Sequence, residues 1–63
     1  MNKIENYYEE MLTMLRDSID DVEKFTEGNK SAGTRVRKTM QEVKNLAQTI
    51  RVEVQEQKNA VTA

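Results

Sequence analysis

The sequence predicts an all-α fold, an antiparallel helical hairpin that self-associates into a four-helix bundle or a coiled-coil dimer. Three observations carry this. Apolar residues recur at steps of three and four along two long stretches. Both glycines, Gly28 and Gly33, fall in the single interruption between those stretches, and proline is absent from all 63 residues. A single domain over 1–63 follows, with helix 1 over about 2–27, a turn over about 28–30 and helix 2 over about 31–59.

Helix 1 rests on Ile4, Tyr8, Met11, Leu12, Leu15, Ile19, Val22 and Phe25, which fall on one stripe of an α-helix. With Tyr8, Leu15 and Val22 at heptad position a, Ile4, Met11, Ser18 and Phe25 take position d, and Leu12 and Ile19 widen the stripe at e. That face is broader than a two-stranded seam needs. The turn follows from Gly28, placed to end helix 1 in a left-handed conformation, and from Asn29 or Ser31, either of which can cap the next helix. Helix 2 rests on Val36, Met40, Val43, Ala47, Ile50, Val54 and Val61, with a polar break at Gln57 and Leu46 broadening the stripe. Ala60 to Ala63 are expected to fray. Met11, Met14, Met40 and Phe25 lie on or beside these stripes, where the expected role is to fill a core.

Self-association is expected because the chain is short. Below about 70 to 80 residues one core rarely suffices without a staple. Cysteine and histidine are both absent, so disulfides, the usual zinc sites and histidine acid–base chemistry are excluded. Packed as a hairpin, the two helices would still leave part of each stripe wet, forgoing on the order of 10 kcal/mol of apolar burial. A second copy recovers it.

Charge divides the chain. Ten Lys and Arg against eleven Asp and Glu give a net charge of −1, yet residues 1–29 hold three basic and eight acidic side chains, while residues 30–63 hold seven basic and three acidic. An acidic half is joined to a basic half. No secretory or membrane-spanning segment is apparent, so the expected compartment is the cytoplasm.

Motifs for small-molecule chemistry are weak. Gly28-Asn29-Lys30-Ser31 resembles the end of a phosphate-binding loop, but Asn29 stands where glycine must precede the lysine. Asn29-Lys30-Ser31 matches a glycosylation acceptor without a route to a secretory lumen. Asp17 and Asp21 lie one turn apart with no third ligand at a supporting spacing, so they read as solvated surface. No enzyme activity, metal, cofactor or small-molecule substrate is expected.

The informative feature is basic. Lys30, Arg37, Lys44, Arg51 and Lys58 recur at intervals of seven and so form one column beside the apolar stripe, at position e when Met40, Ala47 and Val54 are a. Arg35 and Lys38 add charge, so residues 30–51 carry six basic side chains against Glu42 alone. Two explanations stay open. The cations pair with acidic residues of a neighbouring helix and set its orientation, or they form a ridge that neutralises successive phosphates. No aromatic residue is interleaved with them, so binding would read duplex charge and shape.

At Gly28-Asn29-Lys30-Ser31-Ala32-Gly33-Thr34-Arg35-Val36-Arg37-Lys38 the chain resembles the bacterial linker-histone-like proteins, the chlamydial histone-like family, in the short form without the lysine-, alanine- and proline-rich tail of longer members. The resemblance implies a small nucleoid protein that binds and compacts DNA without sequence preference. It implies Lys30, Arg35, Arg37 and Lys38 as phosphate contacts, with Gly28 and Asn29 shaping the turn. A helix N-terminus, with its unpaired amides and partial positive charge, is a reasonable place for an anion. Gly33 inside the first turns of helix 2 costs about 1 kcal/mol relative to Ala, which a close approach to phosphate or to a partner helix would justify.

The expected function is therefore sequence-nonspecific binding of duplex DNA through Lys30, Arg35, Arg37, Lys38, Lys44 and Arg51, by a homo-oligomer with no membrane partner. The alternative is a non-enzymatic structural or regulatory module that pairs with itself or with a partner helix.

Overall fold

The computed structural model describes residues 2–62, which form two α-helices packed against each other as a hairpin: α1 over Lys3–Thr26 and α2 over Lys30–Thr62. The hairpin is a thin rod of 53 × 18 × 11 Å. Helix 2 extends further at its C-terminal end than the sequence reading places it, passing through Ala60 to Thr62. Ala63 and the side chain of Val61 lie outside the described residues.

Each helix end has a local cause. At the start of α1, the Asn2 side-chain oxygen accepts the Ile4 N–H at 2.9 Å, satisfying one of the free amides. At its other end Gly28 takes φ +106°, where a side chain would be strained. The Gly28 N–H donates to the Phe25 carbonyl and the Asn29 N–H to the Lys24 carbonyl, both at 3.0 Å. That pair of bonds is the Schellman arrangement. Asn29 then begins the next helix, because its side-chain oxygen accepts the Ala32 N–H at 3.0 Å. One asparagine thus finishes one cap and supplies the other, and the connection needs no more than Glu27, Gly28 and Asn29.

The seam between the helices differs from the one the periodicity suggested. On α1 the residues turned at least partly inward are Ile4, Tyr7, Met11, Met14, Ser18 and Asp21. On α2 they are Ala32, Val36, Thr39, Val43, Leu46, Ile50, Glu53 and Gln57, with Gly33 and Ala47 at the margin. Both sets alternate steps of three and four, which is the geometry of helices that meet along a heptad seam. Among the described residues only Ala32 (0% exposed), Ser18 (7%) and Ile50 (9%) are closely covered.

The correction is physical. The apolar stripe of α1 is wide enough for two neighbours, and the hairpin uses its more polar edge. Tyr8, Leu12, Leu15, Ile19, Val22 and Phe25 stay between 38% and 56% exposed, as do Met40 and Val54 on α2. Met11 and Met14 pack inside as expected, whereas Met40 and Phe25 do not fill this core.

Small side chains near the turn permit the close approach. Ala32 is fully covered, and at Gly33 an added Cβ would stand 2.6 Å from Phe25 Cδ1 and 2.7 Å from Cε1. The glycine is therefore explained by the Phe25 ring. Gly33→Ala should show opposed effects: about 1 kcal/mol gained in helix propensity, set against displacement of the ring. In a Phe25→Ala background the same substitution should be stabilising by that full amount. A double-mutant cycle read by thermal or urea unfolding checks this, and equal effects in the two backgrounds would remove the ring from the explanation.

The far end is pinned by an amide pair. Asn2 Nδ2 donates to Gln57 Oε1 and Gln57 Nε2 to Asn2 Oδ1, both at 3.0 Å. Near the turn Arg35 Nε meets Asp21 Oδ1 at 2.9 Å. Together these contacts set the register of one helix along the other.

Candidate nucleic-acid interface

The cations of α2 are placed by helical geometry. Seven residues make nearly two turns, so Lys30, Arg37, Lys44 and Arg51 recur about every 10.5 Å along nearly the same line. The turn-end groove carries Phe25, Gly33, Thr34 and Val36 together with Lys30 and Arg37. A second groove further along has Ala47 and Gln48 flanked by Lys44 and Arg51. The four cations therefore border the same apolar face that α1 leaves uncovered.

The six expected contact residues do not form one ridge. Lys38 follows Arg37 by one position and so lies about 100° around the helix from the column. Arg35 precedes Arg37 by two positions, about 160° away, and reaches Asp21 on the other side of the hairpin. That side is acidic: a groove there is lined by Met14, Asp17, Ser18, Asp21, Thr39 and Glu42. Asp17 and Asp21 do share a face, but among the described residues no group of three or more carboxylate, thiol or imidazole side chains is arranged to hold a metal.

Pairing decides what these charges are able to do. Within the described residues Lys30, Arg37, Lys38, Lys44 and Arg51 hold no carboxylate in an ion pair; Arg35 holds Asp21. All five are exposed. The structural explanation, in which the column is consumed by the chain's own acidic helix, is therefore not realised inside the hairpin. An unpaired line of cations about 32 Å long matches roughly one turn of duplex DNA.

The uncovered apolar face was expected from the excess width of the α1 stripe. One feature was not read from the sequence as part of a site: a carboxylate edge on α1, where Glu5 and Glu9 flank Ile4, Tyr8 and Leu12 in a groove at the open end. No described helix is long and apolar enough to cross a membrane.

Comparison with curated proteins and comparison with solved structures return no match. A family model, Histone H1-like protein Hc1, matches residues 5–60, which takes in nearly all of both helices, the turn and the cationic column. The hairpin and its basic second helix thus belong to a chain of the histone H1-like Hc1 family, which implies a non-enzymatic, DNA-binding nucleoid protein.

Proposed function

We propose that this protein binds duplex DNA without sequence preference through the cationic column of α2, with Lys30, Arg37, Lys44 and Arg51 on phosphates and Lys38 contributing from the side. Arg35 is a lesser contact, because its guanidinium is engaged with Asp21. The observation that carries the reading is the row of four exposed cations that no carboxylate among the described residues neutralises. Each phosphate neutralised releases condensed counterions, and this drives association regardless of base sequence. The protein then acts in the cytoplasm, at the nucleoid, and takes no small molecule.

Self-association is the second part of the proposal, and the exposed stripe of Tyr8, Leu12, Leu15, Ile19, Val22 and Phe25 favours it. Leaving so many large apolar side chains wet on one face is the mark of an interaction surface. A second copy supplies matching apolar area, forming a four-helix bundle.

A gel-shift or anisotropy titration on random-sequence duplex tests the DNA reading. Four phosphate contacts predict a slope of log affinity against log salt near −3.6, a loss of about 150-fold between 50 and 200 mM. A slope near zero, or no binding in dilute buffer, would leave only the helical pairing module.

A further inference from the structure

We infer that a second copy covers the apolar face with both turns at the same end of the bundle, so that α2 of each copy lies along α1 of the other. In that register the cationic column meets the partner's carboxylate edge, and self-association and DNA draw on the same cations. This rests on the self-association reading above and adds to it an orientation and a form of regulation.

The area is sufficient. The face is about 36 Å long, from 24 residues at 1.5 Å each, and the hairpin is 18 Å wide. Stacking two such faces removes roughly 1,300 Å² in total, within the range of stable interfaces.

Two-fold stacking of hairpins face to face allows two registers. With turns at opposite ends, α2 lies on the partner's α2 and two columns of like charge run side by side. With turns together, α2 lies on the partner's α1. Every adjacent pair of helices is antiparallel in both registers, so the helix dipoles do not distinguish them. Charge separates the two.

The cross-hairpin contacts give the levels. Asp21 stands beside Arg35 and Asn2 beside Gln57, so residues of α1 and α2 whose numbers total about 57 share a height. In the turns-together register Arg51 is level with the partner's Glu5, Lys44 lies about one turn from the partner's Glu9, Arg37 lies within a turn of the partner's Glu23, and Lys30 is level with the partner's Glu27. Arg16 is the one like-charged residue on that edge. Shape agrees with charge: Tyr8 comes within a turn of the partner's Ala47, so a large side chain faces a small one. A carboxylate beside each cation repels phosphate, hence negative linkage between dimer and DNA.

The chain has no cysteine, so a spin label on Ser31→Cys, exposed beside the turn, reports the register in the full-length protein. Turns together predict a label-to-label distance below about 30 Å across the bundle, whereas opposite ends predict more than about 35 Å. A long distance, or a monomer at all concentrations, overturns the proposal. Two triple variants of equal charge test the linkage, with circular dichroism confirming that both remain helical. Glu5→Gln with Glu9→Gln and Glu23→Gln should weaken the dimer about tenfold at low salt and raise duplex affinity several-fold more than Glu10→Gln with Asp17→Asn and Glu42→Gln. Equal effects of the two triples also overturn it. A short distance in a protein that ignores duplex supports the register while removing the DNA reading, so the two failures are distinguishable.

Discussion

Replacing Lys30, Arg37, Lys44 and Arg51 together by glutamine is expected to lower affinity for random-sequence duplex on the order of 100-fold at about 50 mM salt and to flatten the salt dependence. All four side chains are exposed, and none holds an ion pair within the hairpin. Helix content should therefore survive, and circular dichroism checks it. Arg35→Gln is the contrasting variant. It removes a cation that lies off the column and holds Asp21, so its cost in affinity should stay below about threefold, while its cost in stability is that of a surface ion pair, about 0.2 to 1 kcal/mol. Should Arg35→Gln weaken binding as much as the four-fold variant, the contact surface would be the start of α2 as a whole and not the line along it.

Leu15→Glu combined with Ile19→Glu is expected to dissociate the assembled protein. In a lone hairpin both residues are largely in water, 38% and 52% exposed, so the substitutions cost little there. In a dimer each copy loses two buried apolar side chains and gains two desolvated carboxylates. At roughly 1.5 to 3 kcal/mol for each side chain, the dissociation constant should rise at least about 1,000-fold. Sedimentation measures this directly. Val52→Glu is the control, because Val52 is 46% exposed but sits on the outward side of α2, away from the face. It should leave the assembly unchanged. Sedimentation of the double variant as a wild-type oligomer would mean that another surface joins the copies.

The same experiment bears on folding. Three closely covered residues among those described make a thin core for a chain of this length, and small single cores supply only a few kcal/mol. Loss of assembly should therefore lower the thermal midpoint as well, and the wild-type midpoint should rise with protein concentration.

The two helices, their connection and the existence of a cationic column were legible from local chemistry alone. Periodicity placed the apolar stripes, Gly28 needed the left-handed region, Asn29 had the side chain for a cap, and a seven-residue spacing lines up charges on any helix. Those are properties of neighbours in the chain, so no partner is needed to read them. Direction was not legible. A stripe as broad as that of α1 specifies which residues avoid water, not which of them meet α2. The choice was made across the hairpin, where Ser18, Ala32 and Gly33 allow close approach and Phe25 lies over Gly33. Tyr7 and Met14 consequently turned inward while Tyr8 and Leu15 turned out. The wide angle between Arg35 and Arg37 follows from their spacing, but the rotation of the helix decided that Arg35 meets Asp21 while Arg37 borders the uncovered face. Only packing between segments distant in the chain sets that angle, because helical periodicity records spacing around an axis and carries no information about where the next helix stands.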